Sequence, residues 1–371
     1  MRLVIERNEL LRALGRVTSV VERRTTIAIL SNVLLRARDS KLEFKATDLE
    51  REVIEGVLAD ITTPGAVTIP AHMLHDIVRK LPKGAQVDFR KDGDKERLTL
   101  TSGQARFALQ TLPAEDFPDI GSGEMGQEFE LSAQDLKRLI DKTRFAISTE
   151  DTRYYLNGIY LHTAQSNKKA TLRAVATDGH RLAQVELPLP KGAQGMPGII
   201  IPRKTVHELH RLIEDSQATV KVGVSPAKVR FEIGSVMLTS KLIDGTFPDY
   251  GRIIPRSNDK EMRVSNEEFM SAVDRVSTIA SERGRGVKLD IKPGKLVLSV
   301  NSPEGGSATE ELGVEYGASP LEIGFNAGYL LDVAEHLGKE VCFKLADPGS
   351  PTMVNDPADE SALYVLMPMR V

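Results

Sequence analysis

The stretch Ala176-Thr177-Asp178-Gly179-His180-Arg181-Leu182-Ala183 predicts a strand, a tight turn and a second strand. The turn falls at Asp178-Gly179, a dipeptide that favours hairpin turns. Apolar runs that suit strands precede it, at residues 171–175, and follow it from Leu182. We therefore expect His180 and Arg181 to stand at the rim of a sheet, within reach of a partner.

A second stretch, Ala46-Thr47-Asp48-Leu49-Glu50-Arg51, has the same pattern but lacks the glycine and the histidine. The same local design is thus used twice along the chain. Because only one copy carries the exposed turn residues, the pair indicates a duplicated scaffold with one specialised site.

Longer segments repeat as well. Three of them, anchored on Leu10, Leu136 and Phe269, run from a short strand into apolar residues at helical i, i+3, i+4, i+7 spacing. Each third of the chain then repeats a strand-then-helix pattern at residues 67–81, 200–212 and 323–337. The candidate caps of the helices anchored on Leu10, Leu136 and Phe269 are Asn8, Ser132 and Ser265.

These repeats predict an α+β fold of three similar domains, each a duplicated helix-plus-strands unit. Linker segments rich in Gly, Ser, Pro or charged residues separate the predicted domains, which we assign to residues 1–125, 126–254 and 255–371. The glycine-rich run at 121–126 has the letters of a dinucleotide-binding loop. Such a loop follows a strand and opens a helix, whereas this run precedes a strand, so we interpret it as a linker.

Composition is that of an ordinary globular protein, with 41% hydrophobic and 27% charged residues among 371. The first residues become charged too soon for a signal peptide, and no apolar run approaches the length of about 20 residues that spans a membrane. The single cysteine, Cys342, lies in an apolar run that predicts a buried strand. We expect a cytoplasmic protein without a membrane partner.

Catalytic and metal-binding patterns are weak. His180 with Asp178 could serve acid–base chemistry, with Ser148 or Ser240 as a distant nucleophile, but no nucleophile elbow or paired-carboxylate signature accompanies them. The seven histidines lack a metal-binding grouping, and His207 with His210 has no evident third ligand. No cofactor is indicated. A hydrolase or nuclease remains as an alternative function.

The net charge of −3 argues against a protein covered with phosphate-binding charge. The predicted helices nevertheless repeat a basic bias in several equivalent places. The basic residues are Arg12, Arg16, Arg23, Arg24, Arg79, Lys80, Lys137, Arg138, Lys142, Arg144, Arg203, Lys204 and Arg211. For one helix this would be a solvated face, but its repetition favours a surface that binds a polyanion by its backbone, without sequence choice.

Four further motifs stand in order along the chain: Asp151-Thr152-Arg153-Tyr154-Tyr155-Leu156-Asn157-Gly158, Thr177 to Leu182, Phe247-Pro248-Asp249-Tyr250, and Val365-Leu366-Met367-Pro368-Met369-Arg370. Together they resemble the bacterial DNA sliding clamp family, the beta subunits of DNA polymerase III, and the likeness covers the whole chain. The resemblance implies a head-to-tail homodimeric ring with helices lining the central hole and sheets outside. Such a ring encircles double-stranded DNA and has no catalytic activity of its own.

The resemblance also implies a groove for short linear motifs of the replicative polymerase alpha subunit, the clamp loader, other polymerases and repair proteins. Its matching positions are Leu156, Thr177, Gly179, His180, Arg181, Leu182, Pro248, Arg252, Ile253, Val365, Leu366, Met367, Pro368, Met369 and Arg370. Apolar residues here supply an adaptable lining, and Arg and His supply orientation. A monomeric peptide-binding scaffold that does not bind DNA is the alternative.

Two other sets of positions follow from the same resemblance. DNA contact maps to Arg24, Arg79, Tyr154, Tyr155, Arg203 and Lys204. The dimer interface maps to Arg106 and Phe107 on one side and to Thr278, Ile279, Glu304, Glu310 and Glu311 on the other. The sequence departs from the family pattern at His72, Glu150 and Pro351, where Arg, Gln and Ser are usual.

Overall fold

Each α-helix of the described residues directly follows a strand. The computed structural model describes residues 1–91, 93, 96–121, 123–166, 168–214, 216–280, 285–303 and 305–371. Numbered in chain order, the helices are α1 (Arg7–Val17), α2 (Ala71–Lys80), α3 (Ala133–Asp141), α4 (Arg203–Ile213), α5 (Asn266–Ser277) and α6 (Ala327–Ala334). The predicted strand-then-helix pattern is thereby confirmed at all six places.

One compact unit comprises Met1–Lys137, Pro190–Met196 and Lys204–Leu242 and contains two antiparallel sheets. The strands of the five-stranded sheet, in spatial order, are β5 (Asp60–Thr63), β1 (Arg2–Glu6), β7 (Gln86–Arg90), β8 (Arg97–Ser102) and β9 (Ala105–Gln110). Those of the eight-stranded sheet are β10 (Gln127–Ser132), β15 (Thr219–Val224), β16 (Lys228–Ile233), β17 (Val236–Lys241), β4 (Arg51–Leu58), β3 (Lys41–Thr47), β2 (Asn32–Arg38) and β6 (Gly65–Pro70).

A second compact unit comprises Arg138–Leu189, Pro197–Arg203 and Ile243–Val371. Its nine-stranded antiparallel sheet has the order β14 (Ile199–Pro202), β11 (Gly158–Ser166), β12 (Lys169–Thr177), β13 (Arg181–Pro188), β26 (Ala362–Leu366), β25 (Thr352–Asn355), β24 (Glu340–Leu345), β18 (Lys260–Ser265) and β22 (Glu315–Tyr316). Its four-stranded sheet has the order β21 (Gly306–Gly313), β20 (Lys295–Ser302), β19 (Gly286–Lys292) and β23 (Leu321–Asn326).

Two strand pairs join predicted thirds of the chain. In the first unit β4 pairs with β17, with Val53 opposite Leu238. In the second unit β13 pairs with β26, with Leu182 opposite Val365. These pairs leave no free sheet edge at either junction. By contrast, β9 and β21 are outer strands of their sheets.

The cores form where the sheets carry their alternating apolar residues. Along β16, β19 and β20 every second residue is buried, as in an antiparallel sheet with one face covered. Helix α1 buries Leu10, Ala13, Leu14 and Val17, which are the apolar positions that the sequence predicted. Cys342 is buried in β24, as expected. None of the described helices is both long and apolar enough to cross a membrane.

Side-chain capping agrees with the sequence at one of three places. The Ser132 hydroxyl accepts a hydrogen bond from the Asp135 N–H at 3.0 Å and donates to Asp135 Oδ2 at 2.7 Å, which caps α3. The prediction for Asn8 was wrong, and the prediction for Ser265 is confirmed for its position at the start of α5 but not for a side-chain bond. Helix α1 begins earlier, so the Glu6 carboxylate caps it and Asn8 lies in the first turn. Ser265 precedes α5 but its side chain makes no capping hydrogen bond.

Ser132 and Ser265 therefore form a matched pair for measuring one cap. We expect Ser132→Ala to lower the free energy of unfolding by about 1 kcal/mol, because an amide of the first turn loses its acceptor. Ser265→Ala should change it by only a few tenths of a kcal/mol. Urea unfolding followed by circular dichroism measures both variants, and equal losses would show that Ser132 acts through something other than its cap.

Candidate functional site

The turn between β12 and β13 is held by its own polar side chains. The Thr177 hydroxyl donates to the carbonyl oxygen of Arg181 at 2.7 Å and accepts from the Gly179 N–H at 3.1 Å. Asp178 Oδ1 accepts from the N–H groups of His180 and Arg181 at 2.9 and 3.0 Å. These four bonds fix the loop without help from a neighbouring element.

Two features favour glycine at position 179. Its φ is +90°, a conformation that residues with a Cβ rarely adopt. In addition, the guanidinium of Arg153 occupies the space that a Cβ would need. Arg153 is in turn held by Glu150, whose Oε2 lies 2.9 Å from Arg153 Nε. Glu150, one of the departures from the family pattern, thus has a partner within the chain.

The turn in the first unit repeats this bonding. Thr47 Oγ1 donates to the Arg51 carbonyl oxygen at 2.7 Å and accepts from the Leu49 N–H at 3.0 Å. Asp48 Oδ1 accepts from the N–H groups of Glu50 and Arg51 at 3.0 and 2.7 Å. Leu49, at the position of the glycine, also has a positive φ, 74°. The expectation of one design used twice is confirmed.

Arg181 is mostly enclosed by the protein, its side chain only 11% exposed. Its guanidinium donates to Asp178 Oδ2 at 3.0 Å, to the Phe145 carbonyl oxygen at 2.6 Å and to Asp332. Its Cζ also lies 4.5 Å from the ring centre of Tyr329 and 5.3 Å from that of Phe145, in cation–π range. This side chain therefore fastens the turn to α6, and little of it faces a partner.

His180 is exposed at the tip of the turn, and its ring lies nearly parallel to that of Tyr329, with 6.2 Å between centres. An acid–base relay with Asp178 finds no support, because that carboxylate is engaged by Arg181 and two backbone amides. Ser148 and Ser240 are each 1% exposed. Within the described part of the chain, no group of three potential ligands could hold a metal ion.

An apolar cluster lies beneath the turn in the second unit. Its buried members are Leu156, Val175, Leu182, Ile200, Phe247, Tyr250 and Val365. Large apolar side chains of the same unit stay exposed: Tyr154 (54%), Ile253 (36%), Met367 (37%) and Met369 (36%). Exposed apolar surface of this kind marks an interaction site more often than chance. The positions predicted for the groove therefore include both buried apolar residues and accessible apolar side chains.

The end of the chain lies against the turn. Strand β26 ends at Leu366, and the next amide, Met367 N–H, donates to the His180 carbonyl oxygen at 2.9 Å. Two residues further, Met369 N–H donates to the Gly324 carbonyl oxygen of β23 at 2.8 Å. Two backbone hydrogen bonds, from Met367 and from Met369, thus hold the terminal segment 367–371.

A hydrogen-bonded network supports the segment that carries Pro248, Arg252 and Ile253. His162 Nδ1 lies 2.9 Å from the Thr163 carbonyl oxygen, which can only accept, so this nitrogen carries the proton. The other ring nitrogen, Nε2, then accepts from the Tyr250 hydroxyl at 2.8 Å.

Arg173 extends this network. It donates to the Tyr250 hydroxyl at 3.1 Å and to Glu186 Oε2 at 2.8 and 3.0 Å. Sequence reasoning missed His162, Arg173 and Glu186 as contributors to the site. A signal was present in the strand register, since His162 pairs with Arg173, and Arg173 with Glu186, directly across neighbouring strands.

In the first unit, the positions predicted for DNA contact are exposed and partly ion-paired. Arg24 is exposed, Arg79 lies 3.2 Å from Asp76, and Lys204 lies 2.8 Å from Glu22. Because both partners are largely exposed, such pairs contribute about 0–1 kcal/mol and exchange readily. In the second unit the positions are Tyr154 and Arg203, both exposed, and the partly buried Tyr155.

Not every basic residue of the helices belongs to an open surface. Arg138 and Lys142 both contact Asp359, at 2.7 and 3.2 Å, and the side chain of Lys142 is only 18% exposed. The sequence predicted that Arg138 and Lys142 belong to a basic surface, and this prediction is wrong for both. Their charges pair with Asp359 and stabilise the loop before β26.

Two departures from the family pattern are held inside their units. His72 Nε2 lies 2.9 Å from the Val21 carbonyl oxygen. The Pro351 carbonyl oxygen accepts from the Asn258 side chain at 3.0 Å. Both residues thus have structural contacts of their own.

At the edge strand β9, Arg106 is exposed and Phe107 is partly buried beside an open apolar groove of about 600 Å³. The groove is lined by Met73, Asp76, Ile77, Lys80, Leu81, Pro82, Ala105 and Phe107. Met73 is 55% exposed. This part of the first unit presents an apolar depression next to a strand edge.

At the edge strand β21, the acidic residues already have partners. Glu310 Oε2 accepts from Arg275 Nε at 3.0 Å, and Glu311 lies 2.5 Å from Lys295. The remaining interface predictions are Thr278 (exposed), Ile279 (partly buried) and Glu304, which lies outside the described residues. Acidic and apolar side chains thus flank this second edge.

Burial lowers the pKa of His162 below its ordinary value, outweighing the opposite effect of its hydrogen bond to the Thr163 carbonyl, and the nearby charge of Arg173 lowers it further. The pKa of His336 is lowered by burial as well. Both histidines are therefore held neutral in the folded protein at the pH where they would begin to charge in the unfolded chain.

Comparison with known proteins covers the whole chain. Family models of the DNA polymerase III beta subunit match with the N-terminal domain at residues 1–121, the central domain at 130–249 and the C-terminal domain at 251–370. The beta sliding clamp of Caulobacter vibrioides is 55% identical, and that of Escherichia coli K12 is 40% identical, each with 100% of both chains covered. The crystal structure of a Bartonella birtlesii DNA polymerase III subunit beta sliding clamp bound to griselimycin is 51% identical, with a TM-score of 0.97 and 100% of both chains covered.

The neutral His162 makes a pH prediction with a definite sign. The folded-state pKa of His162 lies below the unfolded value of 6.5. Its contribution to the free energy of unfolding is therefore complete above pH 6.5 and is lost as the pH falls below 6.5, because the unfolded chain then binds the proton more readily. Urea unfolding at about pH 7.5 and about pH 5 should therefore show a smaller acid-induced loss of stability in His162→Gln than in the native protein. An identical loss in both proteins would contradict the assignment.

Proposed function

Because the chain belongs to the family of DNA polymerase III beta subunits, we propose that it forms a head-to-tail homodimeric ring around double-stranded DNA. The protein is a sliding clamp of three clamp domains, a processivity factor and a non-catalytic subunit of DNA polymerase III. The observation that supports the ring is that β9 in one unit and β21 in the other are outer strands of their sheets, the first beside an apolar depression and the second beside acidic side chains. The domain limits at 125 and 254 belong to this proposal.

Pairing β9 of one copy with β21 of a second copy would satisfy both edges. A head-to-tail contact of this kind uses two different surfaces and closes when its rotation returns to the start, here after two copies. Closure also removes the edges that would otherwise recruit further strands.

The side chains at the two edges suit such a contact. Arg106 and the apolar groove beside Phe107 would face Ile279, Thr278 and the acidic side chains of β21. Glu310 and Glu311 would exchange or share their present partners, since Arg275, Lys295 and Glu311 are largely exposed and Glu310 is partly so. Glu304 completes the proposed acidic set. The apolar contact would supply most of the binding energy and the charges its orientation.

Phe107→Ala is expected to shift the dimer toward monomer. Removing a large apolar side chain from a packed interface costs about 3–5 kcal/mol when a cavity is left. Sedimentation at nanomolar protein measures the change. Leu58→Ala is the control, since Leu58 is 83% exposed and lines no part of the Phe107 groove. A Phe107→Ala protein that stays dimeric at this concentration would rule out the assigned interface.

Within the ring we assign DNA contact to Arg24, Arg79, Tyr154, Tyr155, Arg203 and Lys204. These contacts would be made to phosphates, without reading the base sequence. A net charge of −3 and weak exposed ion pairs give only a modest contact energy. Topological linkage explains retention on DNA despite this, because dissociation then requires the ring to open.

The decisive experiment compares circular with linear DNA. Protein loaded onto nicked circular duplex should remain bound through gel filtration at moderate salt, and cutting the circle should release it by sliding from the ends. Arg24→Ala and Lys204→Ala should weaken retention on the circle only modestly. Equal lifetimes on circular and linear DNA would contradict encirclement.

For the apolar groove of the second unit we propose short linear peptides as ligands. The polymerase alpha subunit, the clamp loader, other polymerases and repair proteins would each present a motif with a Gln followed by Leu or Phe. Two observations support this: the apolar cluster under Leu182 and the exposed side chains of Ile253, Met367 and Met369. A protein with these partners works beside the chromosome, so we place it in the cytoplasm.

A further inference from the structure

We infer that Gly286 and Gly324 form a seat for the end of the chain and thereby set the position of Met367 and Met369 in the groove. The inference rests on the proposed peptide-binding function and assigns positioning residues to it. Neither glycine is among the groove residues predicted from the sequence.

The two glycines lie in neighbouring strands, Gly286 at the start of β19 and Gly324 in β23. The register places Gly324 opposite Lys288 and Gly286 opposite Asn326, so the glycines are diagonal neighbours. The side chain of Val371 lies over both of them. Gly324 also supplies the carbonyl oxygen that accepts the Met369 N–H.

Steric space explains why these positions are glycine. A Cβ in ideal geometry at Gly324 would lie 2.5 Å from the Met369 carbonyl oxygen and 2.9 Å from Val371 Cγ1, and would also overlap Cγ2. Such distances are well inside van der Waals contact, at about 3.5 Å or more. A Cβ at Gly286 would overlap Val371 Cγ1 alone and lie 3.5 Å from Met369 Cε.

Backbone conformation does not explain them. Neither glycine has a φ in the left-handed region, and both lie in strands whose backbone any residue adopts. A side chain at Gly324 would therefore be compatible with the sheet and incompatible with the docked backbone of Met369. At Gly286 it would displace only the exposed side chain of Val371. The seat and the hydrogen bond from Met367 to the His180 carbonyl together hold the tail against the turn.

The test uses a fluorescein-labelled synthetic peptide containing Gln followed by Leu and Phe, with binding measured by anisotropy on the full-length protein. Gly324→Ala should lose about tenfold or more in affinity, as when a central anchor of an interface is displaced. A protein that lacks residues 367–371 gives the lower limit of the peptide affinity. Gly317→Ala is the matched control, because a Cβ there meets nothing within 4 Å and no positive φ is involved.

Gly286→Ala separates positioning from a general effect on folding. Its Cβ conflicts only with the Val371 side chain, so its smaller loss in affinity should be restored by adding Val371→Gly. The loss in Gly324→Ala should persist in that background, because the Met369 carbonyl remains in the way. A destabilised sheet would not be rescued by a change at the chain end.

The outcomes separate the inference from the function on which it rests. If the native protein does not bind the peptide while residing on circular DNA, the groove proposal fails. If the native protein binds but Gly324→Ala and Gly286→Ala bind equally well, the seat fails and the groove stands. Should Gly324→Ala not fold by circular dichroism, the rescue of Gly286→Ala by Val371→Gly decides the inference.

Discussion

The pairing of β13 with β26 is the constraint on which the site depends. Its register places Arg181 opposite Leu366, so the last strand ends where the turn begins. The residues that follow must then leave the sheet beside His180, whose carbonyl receives the first free amide of the tail. A shift of one residue in this pairing would turn Val365 away from the apolar cluster and remove the groove floor. The register of this strand pair thus determines where Val365 and the end of the chain lie relative to the turn.

The duplicated turns show how the surroundings of the proposed binding site differ from those of its first copy. The turn of the first unit has the same internal hydrogen bonds and holds Leu49 in a left-handed conformation that costs about 1–2 kcal/mol. Its surroundings differ, because Glu50 pairs with Lys241 at 3.1 Å and Lys45 pairs with Asp119 at 2.8 Å. Charged pairs lie beside that turn, whereas the copy in the second unit has, besides the ion pairs of Arg153 and Arg181, an apolar cluster beneath it and exposed apolar side chains in the same unit. The turn is the shared scaffold, and its neighbours carry the specialisation.

The sequence predicted best those features that depend on residues close together along the chain. Helical spacing placed all six helices, and the Asp-Gly dipeptide placed the turn, because each depends on residues a few positions apart. Caps were less predictable, since Ser265 occupies a cap position without bonding and Glu6 caps where the shorter Ser, Thr, Asp or Asn is preferred. The network of His162 and the seat at Gly324 depend on contacts between distant segments, which no spacing rule encodes. The partners of the groove positions came from the family resemblance and not from the residues alone.

The surface charge fits a protein that must hold DNA and still slide along it. Strong, specific contacts would fix one position on the duplex, while exposed pairs such as Lys204 with Glu22 let a phosphate replace a carboxylate at little net change in free energy. Weak binding of this kind makes the lifetime on DNA depend on whether the proposed ring stays closed. The same chain could then tolerate a net negative charge, because the proposed apolar interface beside Phe107 would supply the binding energy and the proposed DNA-facing residues would only guide the duplex.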